Sequence, residues 1–376
     1  MAPLDQSATI QWRQQHGVAP KAQAVLVFST AQTALTKLRE ILQPRSITFS
    51  EPSGNSVLVS AESGSLTQAI QSWRDLLSAT ELREVRAALF ESKTPSPEDL
   101  ARAPLLLSEL DVAISLMDTR WFVQLLASES YFVVFQPLLS LASKNVIAYE
   151  CLLRGRRGGS EIGATQLFAA AQSLGIARHL EHLSWKKAIE QGRELARSGY
   201  LLFLNFSPSA ASDRTFGVEE TQRICAQHGV DIKQIVLEVT EGEKDKDYDA
   251  EHLRLMMGEY RAAGAKFALD DLGSGHSSVL RLASIKPDFV KLDQGLVRGA
   301  HSNQARAVFV KAICEAAHQL KIPVIAEGVE TAEDLKHCVA IGADFVQGYY
   351  LARPAEIAPP ISEEAIRTLE EWSSGR

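Results

Sequence analysis

The stretch Lys266-Phe267-Ala268-Leu269-Asp270-Asp271-Leu272-Gly273-Ser274-Gly275 decides the fold of most of this chain. Its apolar run reads as a buried strand over 266–270, and it ends on two carboxylates followed by a glycine-containing loop. A buried parallel strand has no reason of its own to end on charge. Outward from it, further strand candidates fall at 131–136, 146–151, 201–206, 235–239, 289–292, 324–327 and 344–347. Helical periodicity occupies 168–174, 179–196, 219–228, 250–263, 304–320 and 332–341. Strand and helix alternating in this way predict an α/β protein with a (β/α)8 TIM-like barrel, a doubly wound open sheet being the competitor. Only residues 137–145 separate the first two strands. That is too short for a parallel crossover, so one strand of the pair is expected to run antiparallel.

Ahead of the barrel, residues 1–92 read as a small α/β sensory or interaction module. A strand at 24–29, a helical stripe at 31–42, a hairpin pairing 46–50 with 56–61 around Pro52-Ser53-Gly54-Asn55, and a helix at 66–77 carry that reading. Prolines at 95, 97 and 104 give 92–104 the composition of a linker, and 105–126 has helical spacing, so 93–117 is expected to be linker and connecting helix. The barrel then spans 118–358, and 359–376 forms a C-terminal tail helix.

The 376 residues carry 39 basic and 46 acidic side chains, a formal charge of −7, which argues against a nucleic-acid polymer as partner. No apolar run approaches the roughly 20 residues of a membrane span, and the first 30 residues show no secretory signal, so a cytoplasmic location is expected. Cys151, Cys225, Cys314 and Cys338 lie far apart with no zinc-site spacing and read as buried thiols.

The chemical signal lies at the strand ends, where Glu150, Asn205, Glu238, Asp270 with Asp271, Lys291, Glu327 and Gln347 occupy the face on which barrels build their sites. Each alone could be a cap or a solvated charge. Together they set five carboxylates against one ammonium, and like charges about 4 Å apart repel by about 4 kcal/mol at an effective dielectric of 20. Such a cluster takes up protons or binds cations. Two divalent ions with Lys291 would balance it, and an all-oxygen set suits Mg²⁺ or Mn²⁺. Paired ions of this kind serve phosphodiester hydrolysis.

These residues resemble a known family. Tyr149-Glu150-Cys151-Leu152-Leu153-Arg154 is similar to the motif that names the EAL-domain cyclic-di-GMP phosphodiesterases. The resemblance extends through Leu204-Asn205-Phe206-Ser207-Pro208, Leu237-Glu238-Val239-Thr240-Glu241, Asp270-Asp271-Leu272-Gly273-Ser274-Gly275, Val290-Lys291-Leu292-Asp293, Ala326-Glu327-Gly328-Val329-Glu330 and Gln347-Gly348-Tyr349. It implies the EAL fold and hydrolysis of cyclic di-GMP to linear pGpG with two Mg²⁺ or Mn²⁺ ions. It puts Glu150, Asn205, Glu238 and Asp270 on a first metal, and Asp270, Asp271 and Glu327 around a second. Lys291 matches the lysine that orients the attacking water, and Glu327 the proposed general base. Arg154 matches a substrate-phosphate contact, Gln347 a substrate-binding glutamine, and Glu241 the glutamate that stabilises the loop after Asp271.

The resemblance also implies a homodimer, paired through the edge that carries the Asp-Asp loop. Cys151 stands where the family usually has alanine, and Leu272, Ser274 and His276 where phenylalanine, threonine and tyrosine are usual. The alternative to an enzyme is a non-catalytic cyclic-di-GMP receptor, which the complete ligand set disfavours. The N-terminal module shows no cofactor set, and an unknown regulatory ligand or protein is expected there. His179 and His182 beside Glu181 read as a solvated helical face, and Arg156-Arg157-Gly158-Gly159 as a charged loop.

Overall fold

The structure is a computed structural model that describes residues 119–207, 217–239, 250–273 and 285–374. It also describes Leu282 and, before 119, residues 24–29, 48–53, 56–61, 84–90 and 92–106 with isolated positions up to 114. The chain divides into two compact units, Met1–Tyr131 with Gly155–Ala177, and Phe132–Arg154 with Arg178–Arg376.

In the first unit, five strands form a sheet of order β2-β3-β1-β4-β5. They are β1 (Ala24–Phe28), β2 (Thr48–Ser53), β3 (Ser56–Ser60), β4 (Arg86–Phe90) and β5 (Ser108–Glu109), and all neighbours pair antiparallel. Strand alternation gives β1 two apolar faces. Val25 and Val27 pack with Val57, Val59, Leu66 and Trp73, while Ala24 packs with Ala88, Phe90 and Ala103.

Two expectations fail in this unit. The stretch with linker composition contains a helix, Pro97–Leu106, because Pro97 sits in the first turn, where its missing N–H costs nothing. Ser96 and Asp99 cap it reciprocally, the Asp99 N–H donating to Ser96 Oγ (3.1 Å) and the Ser96 N–H to Asp99 Oδ2 (2.9 Å). The single helix expected over 105–126 is divided, since Ser108 and Glu109 add to the edge of β4 opposite Ala87 and Arg86; Leu110, Ala113 and Ile114 are helical after it, and a further helix spans Arg120–Ala127. Backbone pairing outweighs side-chain periodicity there.

The second unit holds the barrel. Its strands are β6 (Tyr131–Ser140), β7 (Val146–Arg157), β9 (Leu201–Phe206), β10 (Ile235–Val239), β11 (Lys266–Leu272), β12 (Phe289–Leu292), β13 (Val324–Ala326) and β14 (Phe345–Val346), and the first unit carries β8 (Ser160–Gly163). The order β6-β14-β13-β12-β11-β10-β9-β7 is closed by pairing of β6 with β7. Neighbours from β7 through β14 run parallel, whereas β6 meets β14 antiparallel, as the short 137–145 connection requires. Pro137 does not end β6. The Phe135 N–H donates to Ala355 O (2.8 Å) before it, and Leu139 and Ser140 pair with β14 after it, so no ladder bond needs a proline N–H.

Leu138, Ala148, Phe203, Val236, Ala268, Phe289 and Ile325 form one buried layer inside the barrel, with Phe345 packed against it. A strand repeats every second residue. Two residues further along each parallel strand therefore stand Glu150, Asn205, Glu238, Asp270, Lys291, Glu327 and Gln347, one layer higher. Outside the strands, helices Ala177–Arg197, Val218–His228 and Ala250–Ala263 cover one side, and Gln304–Gln319, Ala332–Ala340 and Glu363–Ser374 the other.

Beside Gln347 the backbones approach closely. The Val329 N–H donates to Gln347 O (3.1 Å), and a Cβ on Gly348 would fall on the Val329 backbone. Gly348→Ala is expected to destabilise the barrel by about 1–3 kcal/mol and to lower Tm by roughly 3–10 °C. Gly163→Ala, which meets open space at φ −73°, should leave Tm within a degree or so by calorimetry.

Candidate active site

The layer of polar residues above the apolar one converges on Lys291, whose side chain is 1% exposed. Its Nζ lies 2.5 Å from Glu327 Oε1, 2.6 Å from Glu238 Oε1, 3.3 Å from Asp270 Oδ1 and 3.8 Å from Glu150 Oε2. Burial alone would push the ammonium down, but Asp270, Glu150, Glu238 and Glu327 outweigh it and hold the group well above its ordinary value. One cation thus serves four carboxylates, and it does not satisfy them. Both oxygens of Glu238 are buried without a hydrogen bond of acceptable geometry, although Nζ stands close to one of them.

The Asp-Asp pair needs a local irregularity, because successive strand residues point to opposite faces. The register of β11 against β12 shifts between Leu269 and Leu272, and Asp271 adopts φ 56°, in the left-handed region. The bulge turns the Asp271 carboxylate towards its neighbour's side. Asp270, Asp271 and Glu327 each then offer an oxygen within 4.8 Å of the others. Burial, with the charges of Asp270 and Asp293, pushes the Asp271 carboxyl up to about 6. Burial raises Glu327 to about 8 against the opposing pull of Lys291. Glu238, wholly enclosed, is also pushed well up by burial.

Gln347 joins the cluster through Nε2, which donates to Glu150 Oε2 (2.6 Å) and Gln136 Oε1 (3.1 Å), while its own Oε1 is buried with no hydrogen-bond partner. A cavity of about 240 Å³ opens above Lys291, lined by Glu150, Asp270, Glu327 and Gln347 and by Gln136, Gln294, Arg298, Glu330 and Tyr349.

Sequence reasoning missed Gln136, Gln294 and Arg298. The signal for Gln136 was the direction of β6: in an antiparallel strand the layer above Leu138 is two residues earlier, not later. Gln294 and Arg298 follow β12 as an i, i+4 pair, and the Arg298 Nη2 donates to Gln294 Oε1 (3.0 Å) and Glu330 Oε1 (2.5 Å).

Arg154 shares the β7 face of Glu150 but lies beyond the cavity lining, its Nη1 donating to Leu153 O (2.9 Å). Asn205 is exposed at the end of β9, in register with Glu238 and outside that lining. Glu241, Ser274 and His276 lie outside the described residues. The Cys151 thiol is buried, and burial with the charges of Glu150 and Glu238 pushes it well up, so it stays protonated.

A closed barrel with one antiparallel strand and an acidic, lysine-centred mouth on the C-terminal ends of its parallel strands is an architecture shared with known proteins. Residues 119–354 match the family model described as EAL domain, and the chain belongs to that family. It is 26% identical over 280 residues to the cyclic di-GMP phosphodiesterase PdeF of Escherichia coli K12, covering 73% of this chain and 36% of PdeF. It is 29% identical over 231 residues to the probable cyclic di-GMP phosphodiesterase PdeN of the same strain, covering 60% and 44%. The chain therefore spans less than half the length of these curated relatives. The cyclic-di-GMP-bound form of a standalone versatile EAL protein from Vibrio cholerae O395 superposes with a TM-score of 0.55 at 28% identity, covering 63% of this chain and 97% of that one. Among the described residues no helix is long and apolar enough to cross a membrane.

The raised Glu327 carboxyl has a stability consequence. Folded protein holds that proton up to about pH 8, whereas the unfolded chain releases it near 4.5. Between those values the folded state binds more protons, so this contribution is present below pH 4.5 and is lost as pH rises towards 8. In chelator-treated protein, Tm measured by scanning fluorimetry should fall from pH 5 to 8, and Glu327→Gln should flatten part of the fall. Equal slopes in the two proteins would contradict the assignment.

Proposed function

We propose that the barrel is a metal-dependent phosphodiesterase that hydrolyses cyclic di-GMP to linear pGpG, using two Mg²⁺ or Mn²⁺ ions. The observation that carries this reading is the cation-deficient mouth, in which Glu238 is fully buried with one oxygen against the shared Lys291 ammonium and the other without a hydrogen bond, while Asp270, Asp271 and Glu327 crowd within 4.8 Å. An all-oxygen donor set of this kind fits hard divalent ions. The names of PdeF and of the Vibrio cholerae complex supply the substrate.

Glu150, Asn205, Glu238 and Asp270 would hold the first ion, and Asp270, Asp271 and Glu327 the second. When bound, the ions supply Lewis-acid activation of water and neutralise charge developing on the phosphodiester. The remaining steps belong to side chains. Lys291 Nζ presents its donors in the middle of the cluster and orients the attacking water. Glu327 would accept a proton from that water once bound ions have displaced the proton that burial otherwise keeps on it. The water oxygen bonds to phosphorus, the bond from phosphorus to the 3′ oxygen breaks, and that oxygen leaves with a proton as the 3′ hydroxyl of pGpG.

Gln347 fixes Glu150 through Nε2 and keeps Oε1 for the substrate. Arg154 contributes charge for a substrate phosphate, and Glu241 steadies the loop after Asp271. A regulatory role for residues 1–92, with an unidentified ligand or protein, and a homodimer complete the reading.

Purified protein given cyclic di-GMP with Mg²⁺ or Mn²⁺ should release pGpG, followed by ion-exchange chromatography. Glu327→Gln should lower kcat by at least about a hundredfold, or about 2.7 kcal/mol of transition-state stabilisation. Tight binding of cyclic di-GMP with no turnover under either ion would overturn the enzyme and leave a receptor.

A further inference from the structure

Glu181 contradicts its sequence reading. It belongs to no solvated face: it is 6% exposed, on helix Ala177–Arg197, among the buried residues Leu180, Trp185, Ala188 and Ile189. A carboxylate taken out of water needs compensation. Glu181 Oε1 receives it from the Ser207 N–H at 2.6 Å, a short charge-assisted bond. One helical turn later Trp185 Nε1 donates to Asn205 O at 2.7 Å, and the Trp185 ring stacks on Phe206 with centroids 5.4 Å apart and planes at 13°. Two side chains of one helix therefore grip three successive residues where β9 ends.

Phe206 is further enclosed by Tyr260 and Phe267, edge-on at 6.2 and 6.3 Å. Its side chain faces the helices, so Asn205, its neighbour, faces the other way, in register with Glu238. The chemistry of Asn205 makes this placement important. A carboxylate ligand attracts a cation through charge over several ångströms, whereas a neutral amide oxygen contributes only if it already stands at bonding distance and angle. The Asn205 side chain is itself exposed, and the backbone on both sides of it is what the helix holds.

We propose that Glu181 and Trp185 are positioning residues that aim the Asn205 amide oxygen at a divalent cation beside Glu238. This rests on the reading of the mouth as a cation site. Glu181 acts as an acceptor for the Ser207 amide and not through a long-range field, so glutamine should replace it and alanine should not. Removing such a supporting partner is expected to weaken metal binding by about 10–100-fold.

The test is calorimetric titration of the full chain with Mn²⁺ in the absence of substrate, joined to hydrogen exchange over the 201–207 segment. Glu181→Ala should weaken Mn²⁺ binding about as much as Asn205→Ala, the double variant should be little worse than either, and exchange should speed up in the segment. Glu181→Gln should restore most of the affinity. Trp185→Phe keeps an aromatic ring against Phe206 but loses the indole donor, and should weaken binding about 3–10-fold, which provides a second route if Glu181→Ala folds poorly.

Wild-type affinity in both Glu181→Ala and Trp185→Phe would overturn the clamp while leaving the cation site standing. So would losses in Glu181→Ala and Asn205→Ala that simply multiply in the double variant. No Mn²⁺ binding by the wild-type protein would overturn the cation site and the clamp together.

Discussion

The Lys291 ammonium, enclosed by Glu150, Glu238, Asp270 and Glu327, is the interaction on which the barrel mouth depends. A single positive charge makes four acidic groups tolerable in a space almost closed to water, and protons taken up by Glu327 and Asp271 relieve part of the remaining repulsion. Breaking a buried set of this kind by removing the Lys291 ammonium would leave uncompensated carboxylates. The same incompleteness gives the site its chemistry. On the proposed reading, protons and divalent cations compete for one set of oxygens, so the groups that repel one another in the mouth are those that would hold the ions.

The scaffold reaches this arrangement by repetition. Every parallel strand contributes an apolar residue to the interior layer and a polar one two positions later, so the site is the top course of the same stack that fills the barrel. Two departures adapt the stack. The antiparallel β6 delivers Gln136 from the opposite chain direction, and the bulge in β11 adds Asp271 beside Asp270. Glycine at 348 lets the chain cross Val329 closely enough to keep Gln347 in line with Glu150.

Much of this was legible in the sequence. Strands 201–206, 235–239 and 289–292 are read to the residue, since short apolar runs that end on Phe206, Val239 and Leu292, each one residue past Asn205, Glu238 and Lys291, admit few other readings. The convergence of Glu150, Glu238, Asp270, Lys291, Glu327 and Gln347 follows from their place at strand ends. What escaped depended on pairing partners that periodicity does not contain. Strand Arg86–Phe90 is alanine-rich and weakly β-forming, and it is held by β1 and β5 on its two sides. Helix Pro97–Leu106 was hidden by its prolines. Gln136 required the direction of β6, and Glu181, polar at a helical position that sequence alone assigns to solvent, required the place where β9 ends.

The central claim, that this mouth is built for divalent cations in competition with protons, is tested most directly by counting protons as metal binds. Calorimetric titration of chelator-treated protein with Mn²⁺ at pH 7, repeated in buffers of different ionisation enthalpy, reads that count. The account predicts saturable binding of two ions per chain with net release of protons, because the Glu327 carboxyl is held up to about 8 before the ions arrive. Absence of binding at millimolar Mn²⁺, or binding with no dependence on the buffer, would contradict it.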